Sequence, residues 1–305
     1  MKIEQQSFIT DKENKHTETK YKTAFNNFNK FIEEKQITEI DNKEILRQYK
    51  QQLKANTKLS NNTKNQYIIL IKNFLKNECG IKIKDVEQLK TQKPTPHYIS
   101  KAEYNIILEY LDEQLTTATP RKRRMIRTNQ TIIKLIFNTG LRIHEVLKLK
   151  IQDITNLECD HNNYYPMDII GKGNKDRRII IEAPLYEALT EYINEYNNNI
   201  YVFESSRNQD KPLTRQIIER QFQQIAQQLD QKYNNKYNFQ DNLKPHNLRH
   251  SYAIIAAGIY GLNYVQDVLG HSNITTTQIY LALDKKDLSD MHAAAKNQAE
   301  HLANT

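Results

Sequence analysis

Two arginines, a lysine, two histidines and a tyrosine carry the functional groups needed for attack by a phenol on a phosphodiester. They are Arg142 in Thr139-Gly140-Leu141-Arg142-Ile143-His144-Glu145, Lys172 in Gly171-Lys172-Gly173-Asn174-Lys175, His246 and Arg249 in His246-Asn247-Leu248-Arg249-His250, His271 in Leu269-Gly270-His271, and Tyr280. A phosphodiester under attack becomes five-coordinate and gathers negative charge on its non-bridging oxygens. Planar guanidinium forks match that charge with paired hydrogen bonds, and such stabilisation is often the largest single catalytic term. Arg142 and Arg249 suit this role. His246 and Arg249 lie three residues apart, so on a helix they share a face and can serve one phosphate. A lysine in a turn, Lys172 or Lys175, can protonate the departing oxygen, a general-acid contribution of about 10²- to 10⁴-fold. A phenol with a pKa near 10 is ionised to only about one part in a thousand at pH 7. It therefore needs cations or a base around it, and the other five residues supply them.

Each residue also has an ordinary reading. Arg142 can be a surface arginine at a helix start, and Tyr280 is one of 18 tyrosines. His246 and His250 have the i, i+4 spacing of two zinc ligands in His-Glu-x-x-His. Asn247 stands where that motif needs its glutamate, and no third ligand is evident, so no metal is expected.

Taken in order and in context, the motifs resemble the catalytic set of the tyrosine recombinases (phage integrases and Xer-type resolvases), over about residues 15 to 290. The resemblance selects Lys172 over Lys175 as general acid and Tyr280 as nucleophile. It implies that His271 hydrogen-bonds the phosphate oxygen and that His246 accepts or relays the tyrosine proton. It also implies that Glu145 supports the active-site arginine and histidine. By the same resemblance, Tyr280 forms a 3′-phosphotyrosyl link to double-stranded DNA and frees a 5′ hydroxyl, and the hydroxyl of a second duplex then attacks that link. The bond energy is conserved, so no cofactor, ATP or metal is called for. Four protomers act on two duplexes, and a C-terminal helix with Leu283, Leu288, Met291 and Ala293 to Ala295 packs on a neighbouring protomer. Two departures stand out: His144 replaces a small residue, and Leu281-Ala282 follow Tyr280 where Xer-like members often have Thr-His. These motifs do not separate an element integrase from an Xer-type resolvase. The competing readings are a type IB topoisomerase, which rejoins the same strand, and a DNA-binding protein with a silent site.

The elements that must position these residues are mainly α with a small β-sheet. The chain has 305 residues, room for two domains. Lys and Arg outnumber Asp and Glu by 44 to 36, an excess that favours a polyanionic partner. No run approaches the roughly 18 apolar residues of a membrane span, and Met1-Lys2-Ile3-Glu4-Gln5-Gln6 lacks the apolar core of a signal peptide. Two cysteines, Cys79 and Cys159, give no disulfide framework. A cytoplasmic protein is expected. Residues 1–15 read as a polar tail, 16–91 as a helical domain that the resemblance identifies as core-binding, 92–99 as a linker with Pro94 and Pro96, and 100–305 as the α+β catalytic domain. Tyr21, Phe25, Phe28 and Ile32 recur at helical spacing. Asp41 and Glu44 should cap a helix carrying Ile45, Tyr49 and Leu53, and Ser60 should cap one carrying Tyr67, Ile71, Phe74 and Leu75 that stops at Gly80. Lys54, Lys58, Lys64, Lys72 and Lys76 read as a solvated face or as phosphate contacts. Further helices are expected at 101–115, 121–138, 143–149, 184–196, 214–229, 248–258 and 264–269. A hairpin is expected from Asp168-Ile169-Ile170 to Arg178-Ile179-Ile180-Ile181.

Overall fold

Aromatic residues at helical spacing build the first part of the protein. The computed structural model describes residues 15–37, 44–81, 86–91, 97–170, 176–205 and 208–270. The chain divides into two units, residues 1–94 and 95–305. In the first, α1 (Lys15–Glu34), α2 (Ile45–Ala55) and α3 (Asn61–Asn77) bury Phe25, Phe28, Phe31, Tyr49 and Phe74 in one cluster. Phe25 meets Phe74 edge-to-face at 4.8 Å, and Phe28 meets Tyr49 in the same way at 4.9 Å, the arrangement that ring quadrupoles favour. Ser60 caps α3 by accepting a hydrogen bond from the Thr63 N–H at 3.2 Å. Beyond the end of α3, Gly80 takes φ +66° and the Ile81 N–H returns to the Leu75 carbonyl at 3.0 Å. Glu44 precedes α2, but its carboxylate takes Arg47 at 2.9 Å and makes no side-chain cap. Asp41 lies outside the described residues. The lysine reading needs one correction: Lys64 is buried, with its ammonium 3.5 Å from the Lys54 carbonyl near the end of α2, so it is neither solvated nor free to touch a phosphate. Downstream, the Asn65 amide donates to the Leu89 carbonyl at 2.9 Å and accepts from its N–H at 2.8 Å, which pins the outgoing chain to α3.

The second unit is mainly helical: α4 (Lys101–Thr116), α5 (Pro120–Thr139), α6 (Ile143–Lys148), α7 (Ile151–Thr155), α8 (Ala183–Tyr196), α9 (Arg215–Lys232), α10 (Phe239–Asn242), α11 (Pro245–Tyr260) and α12 (Leu262–Leu269). Two short antiparallel pairs are inserted, β1 (Tyr164–Ile170) with β2 (Asp176–Glu182), and β3 (Glu204–Ser205) with β4 (Asn208–Pro212). The β1–β2 register sets Ile169 opposite Arg177 and Asp168 opposite Arg178. Helix α5 forms the spine. Ile132, Ile133, Leu135 and Ile136 are fully buried, and it packs against α4, α8 and α11. Helix α12 packs on α11 and β2.

Several features differ from the periodicity reading, among them β1, which starts at Tyr164 rather than Asp168, and α12, which starts at Leu262 rather than Tyr264. Helix α11 starts at Pro245, three residues before Leu248, because proline needs no N–H partner in a first turn. Helix α9 continues three residues beyond Leu229. The short elements α7, α10 and β3–β4 have no periodic signal and are held by polar side chains. Asp230, almost fully buried, accepts the Phe239 and Gln240 N–H groups at 2.8 and 3.0 Å. One Glu204 oxygen accepts the N–H groups of Asn199, Ile200 and Tyr201. Among the described residues, no helix is long and apolar enough to cross a membrane.

Candidate active site

The site forms where α5, α6, β2, α11 and α12 bring their ends together. Helix α5 ends at Gly140, which has the left-handed φ of +66°. A Cβ there would lie 2.4 Å from Tyr252 Cδ1 and 2.8 Å from Leu269 Cδ2, so glycine is required by both backbone angle and space. The turn places Arg142 at the N-cap of α6. Its backbone N–H donates to Glu145 Oε2 at 2.7 Å, and its guanidinium donates to Glu145 Oε1 at 3.1 Å.

Helix α12 provides the meeting point. Its last carbonyls have no partner within the helix, and three guanidiniums fill that need. Arg249, from α11, donates to the Leu269 carbonyl at 2.8 Å and also to the Gly140 carbonyl. Arg142 reaches the same Leu269 carbonyl at 3.4 Å. Arg177, from β2, donates its Nε–H to the Val268 carbonyl at 2.8 Å. Cations at a helix C-terminus are also favoured by the helix dipole. Gly270, with φ +62°, closes α12 and leads directly to His271. Arg142 and Arg249 therefore converge on one backbone oxygen two residues before His271.

Glu145 lies beneath them. Arg177 binds it with two hydrogen bonds, Nη1 to Oε1 at 3.0 Å and Nη2 to Oε2 at 2.6 Å. Burial opposes ionisation of this carboxyl, but hydrogen bonds from Arg177 and Arg142 outweigh it and hold the pKa at about 2. Two guanidiniums thus bind one carboxylate, with Arg249 close by on the Leu269 carbonyl that Arg142 also reaches, and the surplus positive charge suits an anion.

His246 and Arg249 lie one turn apart on α11. Arg249 is buried, whereas His246 keeps an exposed edge even though neighbouring atoms desolvate its ring. That partial desolvation, with Lys244 and Arg215 nearby, lowers the His246 pKa. His250 is more deeply set. Burial, then His246 and Arg249, push its pKa down to about 4. It is therefore neutral at pH 7, and its ring stands nearly perpendicular to that of His246 at 5.9 Å.

Of the six sequence-predicted residues, Arg142, His246 and Arg249 fall on these elements. Lys172, with its rival Lys175, His271 and Tyr280 lie outside the described residues, as does the C-terminal segment from Leu283 to Ala295. Arg177 was not singled out from sequence. A signal was present, because alternation along Asp176–Glu182 puts Arg177 on the same face as the buried Ile179 and Ile181. Its neighbour Arg178 points outward and pairs with exposed Asp168 at 2.7 Å.

Residues 98–287 match the Phage integrase family. The sequence is 28% identical to tyrosine recombinase XerD of Rickettsia bellii over 226 residues, covering 70% of this chain and 69% of that one. It is 30% identical to XerD of Halalkalibacterium halodurans over 219 residues, covering 68% of each. The fold is similar to that of the XerH site-specific recombinase in a pre-cleavage complex with its difH substrate, with TM-score 0.65, 24% identity, and 90% of this chain and 78% of that one covered. It is also similar to the Tn1549 transposon integrase in complex with transposon right end DNA, with TM-score 0.67, 17% identity and 96% of both chains covered.

Proposed function

Because this chain belongs to the phage integrase family and is a tyrosine recombinase, an enzyme that cuts and rejoins DNA at specific sites, we propose that Tyr280 is its nucleophile and that Arg142 and Arg249 grip the scissile phosphate. The observation that carries this reading is the convergence of both guanidiniums on the Leu269 carbonyl, beside the residue that precedes His271. On engaging DNA, the non-bridging oxygens take the place of that carbonyl as acceptors. The two forks then stabilise the charge that builds up during attack. His271 donates to the same phosphate, His246 takes or relays the phenol proton, and Lys172 protonates the leaving 5′ oxygen. The low pKa of His246 supports a neutral ring, able to accept a proton at pH 7. The product is a 3′-phosphotyrosyl link, resolved by a 5′ hydroxyl from a second duplex.

Residues 16–91 serve as the core-binding domain and 100–305 as the catalytic domain, joined by the 92–99 linker. The partner is double-stranded DNA, a reading supported by the XerH complex with its difH substrate and the Tn1549 integrase complex with transposon right end DNA. Four protomers assemble on two duplexes and exchange their C-terminal segments. The protein works in the cytoplasm.

The test uses a duplex selected for tight binding to the chain and nicked beside the mapped cleavage point, so that a cut strand diffuses away and traps the adduct. The parent chain should become covalently attached. Tyr280→Phe should bind the duplex equally well and form no adduct. An adduct formed by Tyr280→Phe would refute the nucleophile. Binding without any adduct from the parent would favour a silent DNA-binding protein, and relaxation of supercoiled DNA without strand exchange would favour a topoisomerase.

A further inference from the structure

Arg177 is outside the six residues assigned above, and the inference that follows rests on the assignment of Arg142 to the phosphate. We propose that Arg177 is a positioning residue that takes up the charge of Glu145 and so leaves Arg142 available to DNA. Glu145 offers two carboxylate oxygens to the guanidiniums around it. Arg177 binds both, at 3.0 and 2.6 Å, and its side chain is 5% exposed. Arg142 holds the carboxylate by one side-chain bond at 3.1 Å and by its backbone N–H at 2.7 Å, and its side chain remains 34% exposed. A guanidinium has five donors. Arg142 commits one to Glu145 and another, at a long 3.4 Å, to the Leu269 carbonyl.

Without Arg177, the nearly buried Glu145 would keep a charge that water cannot reach. An arginine facing a lone carboxylate closes a two-pronged pair with it, and Arg142 is already in contact. Both of its terminal nitrogens would then turn inward, away from the phosphate. Arg177 is held against such a rearrangement by its Nε–H bond to the Val268 carbonyl and by Gly270, where an added Cβ would lie 3.2 Å from Arg177 Cδ. It also lies on β2, so one side chain ties that strand to α6 and α12.

A salt bridge that only holds the fold together makes a different prediction. If Arg177 spares Arg142, removing the Glu145 charge as well should undo the damage. If it only stabilises, the double change should be no better than the single one. The experiment measures single-turnover adduct formation on the nicked duplex at saturating protein, with binding and thermal unfolding followed in parallel. Arg177→Gln should bind the duplex within about threefold of the parent and form adduct about 10²-fold more slowly, the scale of losing one transition-state donor. Glu145→Gln with Arg177→Gln should recover about tenfold or more of that rate, since a neutral amide still accepts from Arg142 but cannot capture it. Equal rates for the parent and Arg177→Gln would overturn the proposal. So would a folded double variant no faster than Arg177→Gln.

Should Arg177→Gln not fold, Arg177→Lys carries the test, because it keeps the charge in a similar volume. A rate within about threefold of the parent supports charge uptake as the role, whereas a loss near 10²-fold in a folded Arg177→Lys overturns it. Absence of adduct from the parent itself would count against the proposed activity, whereas losses confined to the variants bear on Arg177.

Discussion

Gly140→Ala tests how tightly the candidate site is built. At φ +66° an alanine suffers left-handed backbone strain of roughly 1–2 kcal/mol. Its Cβ would meet Tyr252 at 2.4 Å and the fully buried Leu269 at 2.8 Å, and overpacking of this kind costs about 1–3 kcal/mol. Restricting the unfolded chain returns about 0.4–1 kcal/mol. The net destabilisation is therefore about 1–5 kcal/mol, which lowers the unfolding midpoint of a unit this size by roughly 2–20 °C. Gly80→Ala is the internal control. It has the same φ of +66° with nothing within 4 Å of the added carbon, so only the backbone cost, about 1 kcal/mol, remains. Urea unfolding followed by circular dichroism, read on the transition of each unit, gives both values. Because the displaced Leu269 carries the carbonyl shared by Arg142 and Arg249, Gly140→Ala should also slow adduct formation more than it weakens DNA binding. If Gly140→Ala costs no more than Gly80→Ala, the packing around Gly140 is loose and the argument from close approach fails.

Three further outcomes are expected. Lowering the folded pKa of Glu145 from 4.5 to about 2 stabilises the fold by about 3 kcal/mol when the group is ionised; this contribution is complete above pH 4.5 and lost as pH falls toward 2. The stability difference between the parent and Glu145→Gln, measured by urea unfolding, should therefore shrink between pH 5 and pH 3, and a difference independent of pH would contradict the ion pair. Ser251→Ala removes the buried acceptor of the Ile99 N–H, a 2.7 Å bond, and should cost about 1–3 kcal/mol; chemical denaturation that finds less than about half of that lower bound would mean water replaces the hydroxyl. The logarithm of DNA affinity should fall linearly with the logarithm of salt concentration, and Arg142→Ala should make that slope shallower by about one. Titration by fluorescence anisotropy across a salt series reads this directly, and an unchanged slope would remove Arg142 from the phosphate.

Much of this protein is written locally. Phe25, Phe28 and Ile32 repeat at the helical period because a helix must bury one stripe. Ser60 starts a helix through its own side chain, and Gly140 announces a left-handed angle. These are effects of neighbours in the chain, so the helices and most of their limits were legible from sequence. The candidate site residues were picked out through resemblance, since their motifs keep recognisable strings, and of these Arg142, His246 and Arg249 fall on described elements. The partners of those residues were not legible in this way. Nothing near Arg249 in sequence points to the Gly140 carbonyl, 109 residues away, and nothing near Arg177 points to Glu145, 32 residues away. Lys64 looked like any surface lysine until the fold covered it. Residue types and spacing determine which groups are offered to the chemistry, because those are properties of the chain itself. Which carbonyl each guanidinium satisfies, and which carboxylate pairs with which arginine, is decided only when distant helix ends are packed together and buried polar groups must find partners out of reach of water.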